Sequence, residues 1–193
     1  MKIKTLLILF FCIVSYSNWG QNNQINWMTW DEMVAQREKD SVKKKVFIDL
    51  YTGWCGWCKK MDKTTFTDPT IVQYMNKNYY PVKFDAETRD TIEFNGMQFV
   101  NSDPNFVKQR PNARGRTHWF AHSLLDGKLS YPSYVILDEN FTRLMILQGY
   151  KTQEALLGNL IFFAKDEYKY YHNFLNNQWN TMLKKQQEAQ KGK

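Results

Sequence analysis

The sequence has few of the residues that build stapled, fibrous or linker-like proteins. Its 193 residues include three cysteines, nine glycines and five prolines. Three cysteines are too few for a disulfide framework, so any role that they have must be local. The small numbers of glycine and proline exclude collagen-like chains and chains dominated by linkers. The positions of the cysteines are therefore the first feature that asks for an explanation.

The apolar run near the N-terminus is too short to span a bilayer, which takes about 20 residues. Nine apolar residues, 6–14, follow two lysines and precede small or polar residues up to Gly20. This pattern is typical of a secretory signal peptide and fits less well with a buried strand or a lipid-attachment site at Cys12. We predict that residues 1–20 are a signal peptide. Residues 21–193 are then exported to the periplasm or the cell exterior, with no stable membrane span.

Composition and charge narrow the class of protein further. Hydrophobic residues make up 43% of the chain and charged residues 23%, which excludes wholesale disorder and a coiled coil. The length allows one domain, with at most a sizeable embellishment. The formal net charge of +7 is explained most simply by solvated lysine and arginine side chains. Because an exported protein rarely meets nucleic acid, we predict no nucleic-acid partner.

Residues 28–85 alternate between helix and strand patterns. A helix is predicted over residues 28–42, with Thr29 as its cap. The nearly continuous apolar run 46–51 is typical of a strand that is buried on both faces. Two further helical stretches and a strand follow, at 55–66, after Asp68-Pro69, and at 79–85. A strand–helix–helix–strand unit of this length predicts a crossover that joins two parallel strands.

The second half of the chain has a different organisation. Asn95-Gly96 between apolar arms predicts a hairpin, and a short helix is expected over residues 117–125. Pro132 precedes two neighbouring strands, and Thr152 opens a final amphipathic helix whose helical composition continues to about residue 190. We interpret residues 88–130 as an insertion and residues 171–190 as a C-terminal helical extension.

The segment Trp54-Cys55-Gly56-Trp57-Cys58-Lys59 lies between a predicted strand and a predicted helix. Two cysteines scattered at random would have this spacing in roughly 1% of cases. A cysteine at a helix N-terminus has a lowered pKa because the helix dipole and free N–H groups stabilise its thiolate. We expect Cys55 at an exposed tip and Cys58 turned inward, close enough for a disulfide. One sulfur can then attack a substrate and the other resolve the mixed disulfide.

Other roles for these cysteines fit less well. A four-residue loop constrains the unfolded chain little, so a purely structural disulfide here would add little stability. A c-type haem site would need histidine where Lys59 stands. His118 and His122 have the spacing of paired metal ligands on a helix, but 59 residues separate Cys58 from His118. We therefore predict no metal site and no cofactor other than a redox-active Cys55–Cys58 disulfide.

These features together resemble the thioredoxin superfamily, in particular exported thioredoxin-like proteins with a WCxxCK motif and the soluble domains of thiol:disulfide interchange proteins. The resemblance implies an α/β thioredoxin-like fold, a central mixed sheet flanked by helices. It also implies that Cys55 attacks, that Cys58 resolves, that Asp49 is the buried acid and that Pro132 is a cis-proline facing the disulfide. The dipeptide Gly-Trp between the cysteines departs from the family's Gly-Pro and leaves the redox potential open.

The residues around the pair suggest how it would work. Burial would raise the pKa of Asp49 and let it exchange a proton with Cys58; the alternative is an ordinary polar residue at a strand edge. Trp54 and Trp57 are either core aromatics or the exposed apolar rim of a substrate groove. With Tyr131 and Pro132 they make up the predicted substrate-binding residues.

The sequence thus predicts an exported thiol:disulfide oxidoreductase that acts on protein thiols and disulfides and exchanges electrons with an upstream redox partner. The alternative is a thioredoxin-fold module that binds a metal through the cysteine pair, or an adaptor without activity.

Overall fold

The structure, a computed structural model, describes residues 23–101 and 115–191. The strands of this part of the chain are β1 (Lys45–Tyr51), β2 (Tyr79–Asp85), β3 (Ile92–Phe94), β4 (Met97–Phe99), β5 (Ser133–Leu137) and β6 (Arg143–Gln148). The helices are α1 (Trp30–Lys39), α2 (Gly56–Lys63), α3 (Pro69–Asn78), α4 (Trp119–Leu124), α5 (Gln153–Ala164) and α6 (Glu167–Lys191), and a 3-10 turn covers Thr65–Thr67. The predicted signal peptide and residues 102–114 of the predicted insertion lie outside the described residues.

A mixed four-stranded sheet in the order β2-β1-β5-β6 forms the centre of the fold. β1 and β2 are parallel, in register from Lys45 opposite Tyr79 to Tyr51 opposite Asp85. The crossover between them holds α2 and α3, and the Asp68 side chain caps α3 by accepting the N–H groups of its first turn. β5 and β6 are antiparallel to their neighbours. The predicted fold class and the predicted parallel crossover are confirmed.

The alternation of side chains along β1 divides the core into two layers. Val46, Ile48 and Leu50 point to the face that α1, α4 and the β3–β4 hairpin cover, whereas Phe47 points to the face under α2, α3 and α5. Asp49 has the same parity as Phe47, so it faces the α2 side. Because apolar side chains cover both faces of the sheet, the Asp49 carboxylate is buried in the protein interior.

The hairpin and the capped helix starts follow their local sequence signals. β3 and β4 pair around Asn95-Gly96, whose φ values are 50° and 73°, as this type of turn requires. Thr29 and Glu32 form a reciprocal capping box at the start of α1. The hairpin is attached to the body of the protein through the Trp30 indole, which donates to the Glu93 carbonyl at 3.1 Å.

The predicted C-terminal helical extension forms a helix of its own, because the chain breaks between α5 and α6. Asp166 has a left-handed conformation, with φ of 59°, and its carboxylate lies 2.8 Å from the Lys45 ammonium. Lys45 is 3% exposed, and Glu139 pairs with it at 2.7 Å. A buried ammonium needs such partners. The turn that brings Asp166 to Lys45 therefore ends α5.

α6 continues beyond the core as a 25-residue helix whose side chains are largely exposed. Within the described ranges, no helix combines the length and the apolar character needed to cross a membrane.

Phe47 should be a major source of stability because its ring is fully buried among four other aromatic rings, those of Trp27, Phe66, Tyr79 and Tyr134. Phe47→Ala is expected to lower the free energy of unfolding by about 3–5 kcal/mol through lost burial and a cavity. The control Phe174→Ala removes the same side chain from an exposed position on α6 and should change it by less than about 0.5 kcal/mol. Chemical denaturation of the oxidised proteins measures both, and equal losses would contradict this account of the core.

Candidate functional site

A disulfide joins Cys55 and Cys58 where the connection after β1 leads into α2. The S–S distance is 2.02 Å and the Cα atoms are 5.3 Å apart. A turn after β1, closed by a bond from the Cys55 N–H to the Thr52 carbonyl at 3.1 Å, brings the first cysteine to the start of the helix. The cysteine pair therefore lies at a strand-to-helix junction, as the sequence predicted.

Cys55 is the N-cap residue of α2. Its Sγ accepts the backbone N–H of Cys58 at 3.0 Å. An anion at this position also lies at the positive end of the helix dipole. After reduction, the same N–H and the same dipole would stabilise a Cys55 thiolate over the thiol, which is what a nucleophilic cysteine requires.

The expected exposed tip at Cys55 is wrong for the oxidised protein. Cys55 is 3% exposed and Cys58 is 4% exposed. The reason is that the disulfide and the hydrogen bond from the Cys58 N–H hold Cys55 Sγ against the first turn of α2, so that it does not point away from the helix. The expected inward orientation of Cys58 is confirmed.

Asp49 is a buried carboxylate on the side of the sheet that α2 covers. Its Oδ2 lies 3.7 Å from Lys83 Nζ, and no described residue donates a hydrogen bond to its Oδ1. Burial is the largest influence on its pKa and raises it to about 7, although the positive charge of Lys83 acts in the opposite direction. Asp49 is therefore a buried acid and not a polar residue at a strand edge, because β1 is paired on both sides.

The partly exposed side chains of Lys83 and Asp62 complete this charge cluster, and neither was predicted from the sequence. Lys83 Nζ forms an ion pair with the Asp62 carboxylate as well as the longer contact with Asp49. The ammonium group also lies over the aromatic rings of Trp27, Tyr51 and Phe66, at 5.3, 5.3 and 5.9 Å from their centroids. The pairing of β1 with β2 places Lys83 directly opposite Asp49, but this register could not be read from one strand alone.

The Tyr131–Pro132 peptide bond is cis, as the resemblance to the thioredoxin superfamily implied. The Pro132 carbonyl accepts the Gly149 N–H at 2.8 Å, so the segment after β6 is attached to the proline. Gly149 has φ of 78°, a conformation that favours glycine. Next along the chain, the Lys151 carbonyl accepts the Thr65 hydroxyl at 2.7 Å, which fixes the same segment against the end of α2.

Each tryptophan of the motif packs against a tyrosine. The centroids of Trp54 and Tyr131 are 6.1 Å apart, and those of Trp57 and Tyr150 are 5.7 Å apart. Trp57 is 57% exposed, in agreement with the predicted rim, whereas Trp54 is only partly exposed. Trp54 is held inward because its Nε1–H donates to the Glu87 carboxylate at 2.8 Å.

Glu87 and Tyr150 are two further residues that the sequence analysis missed. Glu87 accepts the Gly115 N–H at 2.6 Å in addition to the indole N–H of Trp54, so it links a residue within the predicted insertion to the motif. Hydrogen bonds with Thr64 and Thr65 lower the pKa of Tyr150. The sequence around these two residues does not indicate a role at the site. Each lies in a loop whose position depends on the tertiary fold.

The two histidines considered as metal ligands do not form such a site. His118 is buried; its Nδ1 accepts the Phe120 N–H at 3.0 Å and its Nε2 lies 2.9 Å from the Asp90 carbonyl. Both ring nitrogens are therefore occupied, and His118 serves as the cap of α4. Within residues 23–101 and 115–191, no group of three or more His, Cys, Asp or Glu side chains converges as metal ligands would.

Comparisons with known proteins relate part of this chain to other sequences. The family model "Thioredox_DsbH: Protein of unknown function, DUF255" matches residues 12–104, just under half of the chain. The uncharacterized protein B0495.5 of Caenorhabditis elegans is 32% identical over 79 residues, which are 41% of this chain and 11% of that protein. The thiol:disulfide interchange protein DsbD of Haemophilus ducreyi is 53% identical over 32 residues, which are 17% of this chain and 6% of that protein. The chain thus spans a small fraction of the length of these curated relatives.

Comparison with solved structures shows the fold. A thioredoxin-fold protein from Helicobacter pylori aligns with 78% of this chain and 83% of its own, with a TM-score of 0.51 and 13% sequence identity. The chain therefore has a thioredoxin fold, as the sequence resemblance implied.

The raised pKa of Asp49 makes stability depend on pH. With a pKa of about 7 in the folded protein and 3.8 as its ordinary value, Asp49 keeps its proton in the folded state after the unfolded state has lost it. Stability therefore falls as the pH rises from about 4 to about 7 and stays reduced above that range. Relative to the wild type, Asp49→Asn should become progressively more stable across this window, by about 1.4 kcal/mol per pH unit.

Chemical denaturation of the oxidised proteins between pH 4 and pH 9 measures this difference. Asp31→Asn is the matched control, because Asp31 is an exposed carboxylate in the first turn of α1. Its difference from the wild type should stay nearly constant over the same range. A difference for Asp49→Asn that does not vary with pH would show that Asp49 titrates normally.

Proposed function

We propose that this protein is an exported thiol:disulfide oxidoreductase that acts on protein thiols and disulfides through the Cys55–Cys58 pair. The observation that carries the proposal is the position of the disulfide, which caps α2 at a strand-to-helix junction of a thioredoxin fold that also has a cis-proline at Pro132. The match to a thiol:disulfide interchange protein covers 32 residues of this chain and gives the proposal additional support.

The proposed reaction proceeds through a mixed disulfide. In the reducing direction, the Cys55 thiolate attacks one sulfur of a substrate disulfide, a bond forms between the two sulfurs, and the other substrate sulfur leaves as a thiolate. Cys58 then attacks Cys55 Sγ, restores the internal disulfide and releases the second substrate thiolate. The substrate gains two electrons and the protein loses two. The reverse sequence oxidises a substrate dithiol, and an upstream redox partner returns the protein to its starting state.

Asp49 is proposed to take up the proton that Cys58 must lose before it attacks. Cys58 is buried, so water has poor access to its thiol. The Asp49 carboxyl lies in the layer under α2 and has a pKa of about 7, so it can accept or return a proton near neutral pH. Lys83 and Asp62 set the charge around it.

The substrate is proposed to lie along the aromatic side chains next to the cysteines. Trp57 offers an exposed ring, and Trp54 contacts Tyr131, which directly precedes the cis-proline. Aromatic rings contribute apolar contact area with little loss of conformational freedom, which suits the binding of varied peptide segments.

Export to the periplasm or the cell exterior is proposed from the pattern of residues 1–20. A basic start, a short apolar stretch and a small-residue exit favour secretion and removal of this segment. An oxidising compartment outside the cytoplasm is also where proteins with disulfides that need exchange are found.

Replacing the resolving cysteine should trap the intermediate. All variants carry Cys12→Ser, so that Cys55 and Cys58 are the only thiols to consider. Reduced Cys58→Ser is expected to accumulate a covalent 1:1 adduct with a disulfide-linked peptide dimer, because the second attack cannot occur. Mass spectrometry under non-reducing conditions measures the adduct. The parent protein should yield free peptide and internal disulfide without lasting adduct.

The matched control is Cys55→Ser, which retains only the buried cysteine. It should form the adduct at least about tenfold more slowly, since Cys58 lacks the N-cap position that stabilises a thiolate. Equal trapping by the two variants would contradict the assigned roles. No adduct with Cys58→Ser, and no reduction of the peptide by the parent protein, would contradict the proposed function itself.

A further inference from the structure

The exposed face of α2 carries a lysine that lies over two aromatic rings. Lys60 Nζ lies 4.9 Å from the centroid of the Trp57 ring and 4.9 Å from the centroid of the Tyr150 ring. The two rings are themselves in contact, so the ammonium group sits above an aromatic pair. Such a contact restrains a side chain that would otherwise sample many conformations.

The fold holds the rings of Trp57 and Tyr150 next to each other. Trp57 belongs to the first turn of α2. Tyr150 follows Gly149, whose N–H is held by the Pro132 carbonyl, and precedes Lys151, whose carbonyl is held by the Thr65 hydroxyl. The segment that carries Tyr150 is thus attached both to the cis-proline and to the end of α2. The position of Lys60 is consequently defined relative to the disulfide.

The charge of Lys60 is available to a ligand. Of the described residues, none places a carboxylate within ion-pair distance of its ammonium. Asp62, the acidic residue of α2, is paired with Lys83. Glu154 acts on the neighbouring Tyr150 phenol electrostatically but makes no ion pair with Lys60. A cation held over aromatic rings retains its attraction for an incoming anion, because rings do not neutralise its charge.

The spacing of Lys60 relates it to a peptide bound at the disulfide. Lys60 follows Cys55 by five positions, which corresponds to about 7.5 Å along the axis of α2. An extended peptide advances about 3.3 Å per residue. For a peptide that runs along the axis of α2, a side chain about two residues from the reacting cysteine would therefore lie level with Lys60.

We propose that Lys60, held over Trp57 and Tyr150, is a specificity-determining residue that favours substrates with a carboxylate about two residues from the reacting cysteine. The inference rests on the proposed oxidoreductase function and adds the class of substrate. Trp57 and Tyr150 supply the apolar surface against which the peptide lies, and Lys60 selects among peptides by charge. It is not a catalytic residue, since neither sulfur exchange nor proton transfer requires it.

Three synthetic peptide disulfides test the proposal. Each is a homodimer of an eight-residue peptide with one cysteine, flanked two residues away on both sides by Asp, Asn or Lys. The reduced protein, freed of excess reductant, is mixed with each peptide, and released thiol peptide is followed by acid quenching and chromatography. We expect the Asp peptide to react roughly 3- to 10-fold faster than the Lys peptide at low salt, with the ratio falling at 0.5 M salt because exposed charges are screened.

Variants of Lys60 identify the source of this ratio. Lys60→Ala should bring the ratio of the Asp-peptide rate to the Lys-peptide rate to within about twofold of one, and Lys60→Glu should invert this ratio. Lys77→Ala removes the same charge from an exposed position on α3 and should retain the wild-type ratio. A change of the ratio in both alanine variants alike would indicate net charge as the cause and overturn the proposal.

Failure of the inference differs from failure of the proposed function. Equal rates with all three peptides, or a ratio that Lys60→Ala leaves unchanged, would overturn the role of Lys60 and leave the oxidoreductase function intact. No reaction of the wild-type protein with any of the three peptides would instead contradict the proposed function.

Discussion

The burial of β1 on both faces is the constraint on which the rest of the structure depends. Because β1 pairs with β2 and β5 and carries apolar side chains to both layers, it forms a rigid base for the turn and helix that follow it. The disulfide is held at the end of this base. The same burial is what makes Asp49 chemically unusual, since a carboxylate in an apolar layer holds its proton to a higher pH than one in water.

Lys83 reduces, but does not cancel, the free-energy cost of burying the ionised Asp49 carboxylate. Its ammonium lies 3.7 Å from Asp49, too far for a hydrogen bond, and is paired more closely with Asp62. A closer pairing with Asp49 would stabilise the ionised carboxylate and lower its pKa towards the ordinary range. The arrangement thus leaves Asp49 able to gain and lose a proton near neutral pH, a property that suits a group serving a buried thiol.

Features that depend on neighbouring residues were predictable from the sequence, and features that depend on distant contacts were not. The Asn95-Gly96 hairpin and the Asp68-Pro69 helix start follow from local backbone preferences and capping. The break at Asp166 arises from a lysine 121 positions earlier in the chain. The burial of Cys55 depends on the disulfide geometry, and Tyr150 enters the site through a loop attached to the cis-proline. The cis bond before Pro132 was predictable only through the resemblance to the thioredoxin superfamily, because the statistics of X–Pro bonds alone favour the trans form.

The charges of α2 are divided between the inside and the outside of the site by helical geometry. Lys60 and Asp62 are two residues apart, which is roughly 200° around a helix, so they project from opposite sides. Asp62 contacts Lys83 above the buried layer, and Lys60 contacts the exposed ring of Trp57 and the partly buried ring of Tyr150. If both side chains shared one face, they would neutralise each other. Because they do not, Asp62 interacts with the groups beneath the disulfide, while Lys60 keeps its positive charge on the surface that is proposed to bind the substrate.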